Sequence, residues 1–482
     1  MKSSKYKKNI LVAGASGYVG RQLVKSLASS QYPVRCLVRH RGSISSIASE
    51  TIEMVQGDAL DYGSLKSSLA GIHTAFYLIH SMGSEGDFCE RDRRAAQNFA
   101  AAAKEQGVKR IIYLGGLGGD EKLSSHLSSR QEVGQILRDS GILTIEFRAS
   151  IIIGSGSLSF EMIRTLVEKL PIMITPRWVQ TLAQPIAIED VIAYLTETIE
   201  IPLDTSKIFE IGGPDRISYQ EIMKEYARQR RLFRLMIPVP ILTPYISSLW
   251  LGLVTPLYVQ IGRSLIESIK NPTIVNDETA NSFFTVRPCN IQSAIQYALT
   301  TEDKDFENFH NRTKHPESDT TVQQRGYQRG SRIFDEYYIH THDAPELAFK
   351  PIRCIGGKVG WYYANYLWQL RGCIDNLLGG VGMRRSRRDA EQVKTGGVID
   401  FWQVECYQEN RLLRLRAEMK LPGRAWLQFE VYPQKEGSII YQTAIFDPLG
   451  LAGRLYWYGL YPVHRLIFKN MLINITKNIR EE

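Results

Sequence analysis

Gly14-Ala15-Ser16-Gly17-Tyr18-Val19-Gly20 stands between the apolar run Asn9–Ala13 and an amphipathic stretch with helical spacing. Each glycine of this spacing has its own physical reason. The first permits a tight turn, the second lets backbone N–H groups approach a pyrophosphate, and the third allows a helix to close on the preceding strand. An anion in such a loop also meets the positive end of the following helix. The loop is therefore a candidate dinucleotide site, against the plainer alternative of a glycine-rich turn that binds nothing.

Working outward, short β-branched runs alternate with helical patterns. Strands are predicted at Asn9–Ala13, Val34–Val38, Ile52–Gln56, Thr74–Leu78, Arg110–Leu114 and Thr144–Arg148, with a helix over Arg91–Gln106. This alternation predicts βαβ units and a parallel sheet, hence an α/β fold. Later come a strand at Ile208–Ile211, a Gly212-Gly213-Pro214 turn, and Ser218 and Glu221 spaced as a capping box. The pattern closes a first domain over residues 1–300, its substrate part about 155–300. The polar stretch 301–328 reads as a linker to a second domain, 329–482.

The end of the second strand decides which dinucleotide is expected. An acid there would accept from a ribose 2′-OH, whereas an Arg accommodates a 2′-phosphate. Arg39, His40 and Arg41 stand there without an Asp or Glu, so NADP is expected, with NAD the alternative. Asp58 and Ala59, after the third strand, fall where the chain would pass the adenine, although a simple turn acid would look the same.

The second domain has a different pattern. Leu412–Met419, Ala425–Tyr432 and Ser438–Phe446 are successive strand-like segments separated by turn residues, which predicts antiparallel sheet. Ala425, Leu427, Phe429 and Val431 fall on one face and Trp426, Gln428 and Glu430 on the other, as expected when one side covers a core. Arg454–Asn478 has helical spacing, with Pro462 expected to kink or divide it.

The 482 residues suffice for several domains, and 44% hydrophobic with 23% charged residues excludes disordered and collagen-like chains. Of the net charge of +9, residues 320–482 carry +7, from 23 basic and 16 acidic residues. Nucleic acid is not the expected partner of this excess, because no binding module and no aromatic ladder accompany it. The basic cluster Arg384-Arg385-Ser386-Arg387-Arg388 suits an anionic lipid head group or phosphate, or else is a solvated loop. Leu455, Tyr456, Trp457, Tyr458, Leu460 and Tyr461, beside His464, Arg465 and Lys469, suit peripheral contact with a membrane or simple packing on a sheet.

Cys36, Cys89, Cys289, Cys354, Cys373 and Cys406 are widely spaced, and His340 with His342 lacks nearby ligands, so no metal is expected. The basic N-terminus lacks a secretory pattern, and a cytoplasmic protein is expected. The uncharged run Ile237–Gly262 is long enough to span a bilayer but is interrupted by Pro238, Pro240, Pro244 and Pro256.

These features, together with Tyr77–Met82, Leu114–Gly119, Phe147–Gly154, Gln184–Val191 and Phe209–Asp215, resemble the atypical, NmrA-like short-chain dehydrogenase/reductases over roughly residues 8–300. The resemblance implies a Rossmann-type doubly wound parallel sheet, an NAD(P) cofactor and oxidoreductase activity on a small lipophilic substrate. The tail resembles uncharacterised domains found fused to such reductases and, more distantly, START-like helix-grip domains. That implies an α+β unit in which a curved sheet wraps a long helix around an apolar cavity.

The family's usual chemistry uses a Tyr-x-x-x-Lys pair, and this chain departs from it. Tyr62 to Lys66 has the spacing but precedes the fourth strand. After the fifth strand, where the pair belongs, stands His126-Leu127-Ser128-Ser129-Arg130, and Gly115 and Gly116 replace the usual serine. The cofactor set is then Gly14, Ser16, Gly17, Tyr18, Val19, Gly20, Arg39, Asp58, Ala59, His80 and Arg130. The catalytic set is His126 as an acid at neutral pH, Arg130 as a fixed donor fork, and Tyr113 at the end of the fifth strand as a pocket wall. The expected reaction is hydride transfer from NADPH to a lipophilic carbonyl, enone or quinone. The alternatives are a non-catalytic NADP sensor or assembly protein, and a hydrophobic-ligand-binding protein with a vestigial nucleotide domain.

Overall fold

The computed structural model describes residues 8–30, 32–40, 51–80, 88–119, 123–239, 271–307, 321–357, 359–383 and 393–479. The chain divides into two compact units, one built around the glycine loop and one around the tail. In the first, strands β1 (Ile10–Ala13), β2 (Val34–Val38), β3 (Ile52–Gln56), β4 (Thr74–Tyr77), β5 (Arg110–Gly116) and β6 (Leu143–Ala149) join Lys207–Ile211 in a seven-stranded sheet. Its order is Lys207–Ile211, β6, β5, β4, β1, β2, β3, and every pairing is parallel. This is the doubly wound α/β arrangement. The strand order reverses at β1, which has β2 on one side and β4 on the other, so a crevice opens beyond the carboxyl ends of these strands.

Both faces of the sheet are covered, which explains the near-continuous apolar strands. Ile10, Val12, Ile112, Ile145 and Phe147 pack on the side of α1 (Tyr18–Ala28), while Leu11, Ala75, Tyr77, Ile111 and Tyr113 pack on the side of α2 (Tyr62–Leu69), α3 (Phe88–Glu105) and α4 (Ser125–Asp139). Small residues draw α3 onto the sheet: its buried face is Asp92, Ala95, Ala96, Phe99, Ala100, Ala102 and Ala103. One acid lies on that otherwise apolar face. The capping box at Ser218 and Glu221 is present, with both reciprocal hydrogen bonds.

The stretch read as a linker is shorter than 301–328. The helix Ile291–Glu307 continues through its polar residues, and the strand Gln323–Arg329 has already begun by 323. That strand is an edge of the second sheet with mostly exposed side chains, so a polar sequence suits it. The uncharged run from Ile237 begins in the strand Leu235–Val239, paired with Ile172–Pro176, and residues 240–270 lie outside the described residues. Arg384–Arg388 also lies outside them. Among the described residues no helix is long and apolar enough to cross a membrane.

The second unit is an antiparallel seven-stranded sheet ordered Gln323–Arg329, Arg332–Thr341, Gly437–Pro448, Gly423–Gln434, Leu412–Ala417, Trp402–Gln408, Val398–Ile399. Leu427, Phe429 and Val431 face a core shared with the helix Gly450–Lys477. Trp361 organises much of it, with Trp368, Trp402 and Phe401 at centroid distances of 4.8, 6.0 and 6.4 Å. The opposite face is not open to solvent. Trp426, Gln428 and Glu430 are also buried. Long polar side chains cover them: the Arg414 Nε donates to Gln428 Oε1 at 2.7 Å, the Tyr432 hydroxyl donates to Glu430 at 2.8 Å, and the Arg332 and Arg424 guanidinium groups lie over the Trp426 ring.

Pro462 does not divide the last helix, which runs unbroken over 28 residues. The bond it forfeits would be to the carbonyl of Tyr458. Tyr458 is exposed, so water can take the partner's place. The helix also sorts the aromatic cluster seen in the sequence. Trp457 is buried on Phe446, whereas Leu455, Tyr458 and Leu466 are exposed.

His464 sits between Trp457 and Phe468, and burial pushes its imidazole down to about 4. The unfolded chain would take up that proton near pH 6.5. Stability of the second unit should therefore fall as pH drops from about 6.5 towards 4, because the unfolded state binds the extra proton. Urea melts across that range, compared with His464→Phe, check this: the variant should lose most of the dependence.

Candidate functional site

The glycine loop forms where β1 ends. Gly14 has φ +88°, and the Gly17 N–H donates to the Gly14 carbonyl at 2.9 Å to close a tight turn. A Cβ on Gly14 would lie 2.6 Å from the Leu78 carbonyl oxygen, and one on Gly20 would lie 2.2 Å from the Gly14 oxygen. Gly17 caps α1 with no side chain on the first-turn N–H groups, and no acid occupies that turn. The helix end thus turns its positive field towards an anion.

The loop opens on a cavity of about 330 Å³. Gly17, Tyr18, Val19 and Gly20 line one side, Leu78, Ile79 and His80 follow from the end of β4, and His126 and Arg130 come from α4. Ser150, Tyr219 and Thr273 supply a hydroxyl group of walls that the sequence did not mark, with Ser150 Oγ 2.6 Å from Thr273 Oγ1. Gly116 is one of the two glycines that stand where the family resemblance implies a serine. A Cβ there would meet Leu127 at 2.8 Å, so α4 occupies the room a side chain would need.

His80 and His126 meet directly. Their Nε2 atoms are 2.7 Å apart, and His80 Nδ1 is 3.2 Å from Asp92 Oδ2. Asp92 is the acid on the apolar face of α3, and sequence reasoning passed over it. The signal was present, because Asp92 precedes Ala95, Ala96 and Phe99 by the three, four and seven residues that define one helix face. Burial first, then His80 and Arg130, draw the His126 imidazole down to about 3. His80 is also lowered, mainly by burial. His126 therefore does not carry the ordinary histidine's proton at neutral pH.

Arg130 lines the cavity, its guanidinium donating to the Leu114 carbonyl, while its buried Nε has no partner among the described residues. Tyr113 is not a wall of this cavity. Strand alternation turns it to the opposite face, where it packs beside Tyr77 and its hydroxyl donates to the Arg130 carbonyl at 2.9 Å. Tyr62 and Lys66 both bind Glu105, at 2.6 and 2.5 Å, away from the cavity. Asp58 accepts from the Leu60 N–H at 3.0 Å as a turn acid, and the Ala59 carbonyl accepts from Asn98. Arg39 is exposed just beyond β2, its carbonyl accepting from Gln56 at 3.0 Å, and Arg41 lies outside the described residues.

The uncapped helix end and the unpartnered Arg130 Nε fit a phosphate-bearing cofactor, and the family comparison agrees. Residues 14–150 match the NAD(P)H-binding family model. They form an NAD(P)H-binding domain. Residues 327–471 match a family described as protein of unknown function (DUF2867). Among curated proteins, the chain is 26% identical over 119 residues to cinnamoyl-CoA reductase 1 of Oryza sativa subsp. japonica, covering 23% of this chain and 35% of the relative. It is 27% identical over 228 residues to (4-alkanoyl-5-oxo-2,5-dihydrofuran-3-yl)methyl phosphate reductase of Streptomyces griseus, covering 45% of this chain and 73% of the relative. The chain thus spans about a third of the first of these and about three quarters of the second. In fold it is similar to the triphenylmethane reductase of Citrobacter sp., with TM-score 0.51 and 15% identity over 61% of this chain and 99% of that one.

Gly17→Ala tests the loop. Its φ of −72° tolerates alanine, but the methyl group stands in the way of an approaching pyrophosphate. NADPH affinity, followed by fluorescence titration, should fall at least about tenfold, or ~1.4 kcal/mol.

Proposed function

We propose that the chain is an NADP-dependent oxidoreductase that exchanges hydride with a lipophilic carbonyl, enone or quinone, with His126 handling the proton. The observation that carries this reading is one cavity holding both the glycine loop and the imidazole of His126. The Gly17–Gly20 backbone would face the pyrophosphate and Arg39 the 2′-phosphate, while Arg130 offers its Nε to the cofactor. The cofactor, when bound, supplies or accepts the hydride. The reductases among the relatives, and a Citrobacter triphenylmethane reductase of the same fold solved with NADP(H) (TM-score 0.50, 15% identity, 60% of this chain and 100% of that one), support the assignment.

Two measurements test it. NADPH absorbance should fall with at least one member of an enone and quinone panel. Arg39→Ala should weaken NADPH binding about tenfold or more while sparing NADH, because only the 2′-phosphate is lost. Equal weakening of both cofactors would remove Arg39 from the 2′-phosphate site. A second reading, a non-catalytic NADP sensor, is favoured by Tyr62 and Lys66 being tied to Glu105. Cofactor bound without oxidation across the panel would decide for it.

The tail is proposed to hold or present the hydrophobic substrate, in keeping with its helix-grip resemblance, and to dock on an anionic bilayer. The helix Gly450–Lys477 contains no acid. It exposes Leu451, Leu455, Tyr458, Val463 and Leu466 beside the exposed Arg465 and Lys469, which suits an acidic lipid surface. Flotation with phosphatidylserine vesicles at low salt should carry the protein, and Leu455→Glu with Leu466→Glu should abolish it. No flotation of the native chain would overturn this docking.

A further inference from the structure

We infer that the outward face of the two-stranded ribbon Ile172–Pro176 and Leu235–Val239 docks on an anionic bilayer, with Phe233, Leu235, Ile237, Ile172 and Ile174 entering the acyl boundary and the arginines beside Phe233 meeting the head groups. The ribbon belongs to the first unit, so this is a different surface from the tail helix proposed above. It does not depend on the oxidoreductase reading.

The face follows from the register. The two strands run parallel, with Leu235 opposite Ile172 and Ile237 opposite Ile174. Partners of this kind share a face, with their strands about 5 Å apart. Alternation turns Met173 and Thr175 inwards, where both are buried, and turns Ile172 and Ile174 out, at 57% and 45% exposure. Leu235 and Ile237 are 46% and 43% exposed, and Phe233, two residues before Leu235, is 85% exposed. Polar residues ordinarily fill the outward positions of a solvated sheet. Here each outward position named is aliphatic or aromatic, and a contiguous apolar patch of this kind marks an interaction surface.

The charge beside the patch selects what covers it. From Lys224 to Ile237 the chain holds Lys224, Arg228, Arg230, Arg231 and Arg234 against Glu225 alone. Glu225 is taken by Arg228, through two hydrogen bonds of 2.8 Å. Lys224 and Arg231 are exposed. Arg231 has φ +55°, which turns the chain out of the helix Tyr219–Gln229 just before Phe233. Bases beside exposed aromatic and aliphatic side chains suit an acidic lipid surface, which takes the apolar groups below its head groups and holds the cations at them. A second copy of the chain fits less well, because a two-fold contact through this face sets the arginines of each copy towards those of the other.

Five partly exposed side chains make a weak anchor, and a weakly held protein leaves the vesicle during flotation. The test is therefore made at equilibrium. The full chain is irradiated at low salt with phosphatidylserine and phosphatidylcholine vesicles that contain a phosphatidylcholine with a diazirine in its acyl chain. Mass spectrometry should find lipid attached within residues 172–174 and 233–237. No lipid on either segment overturns the docking, and this arm needs no variant to fold. Leu455→Glu with Leu466→Glu, which removes the tail's surface, should leave these attachments in place, and their disappearance overturns the ribbon as a docking surface of its own. In Phe233→Asp the replaced side chain is one on which little of the fold rests. Its partition onto the vesicles should weaken about tenfold, and partition equal to that of the native chain also overturns the docking. Sedimentation without lipid completes the test, since a dimer that Phe233→Asp dissociates assigns the face to a second copy instead.

Discussion

A Cβ on Gly20 would stand 2.2 Å from the carbonyl oxygen of Gly14, and one on Gly14 would stand 2.6 Å from that of Leu78. Helix α1 can leave β1 at this angle, with β4 alongside, only because those atoms are missing. The same close approach gathers the ends of β1, β4 and β5 at one point. His80 follows from β4, and Arg130 reaches back from α4 to the carbonyl of Leu114 on β5. The site is a consequence of backbone proximity, and the side chains that line it inherit their positions from that constraint.

Those positions place two imidazoles, a carboxylate and a guanidinium in or beside one small cavity. Separately, each histidine would titrate near neutrality. Together and buried, the two cannot both be charged, and burial presses each towards the neutral form. The carboxylate of Asp92, hydrogen-bonded to His80, counters this.

The sequence disclosed whatever depended on local pattern. The runs at Val34–Val38 and Ile52–Gln56 have the bounds of the strands themselves, the first largely buried and the second a partly exposed edge strand. The glycine loop, the capping box and the misplaced Tyr62–Lys66 pair were equally legible. What depended on which residues meet across the fold was not. Tyr113 was placed in the pocket because it ends a strand, but the alternation of that strand turns it away. Asp92 and His80 are 12 residues apart and His80 and His126 are 46 apart, and no local pattern announces that they touch. In the tail, alternation put Trp426, Gln428 and Glu430 on the face opposite the core, but did not disclose that they too are buried. Of the Arg side chains that cover them, Arg332 and Arg414 come from other strands.

Arg130 in place of a lysine has a consequence for the direction of proton flow. A guanidinium has donors and no acceptor, so in the proposed reaction the proton would fall to the imidazoles. A fixed positive charge helps a phenol lose its proton, which is what the Tyr and Lys pair exploits. Beside an imidazole the same charge acts in the opposite sense, by resisting formation of a second cation. Replacing both members of the pair therefore keeps a cation near the reacting centre while exchanging a donor in need of activation for an acceptor that is already neutral. Under the proposed activity, the oxidation of an alcohol would find the site in its resting state, and the reduction of a carbonyl would first have to load it.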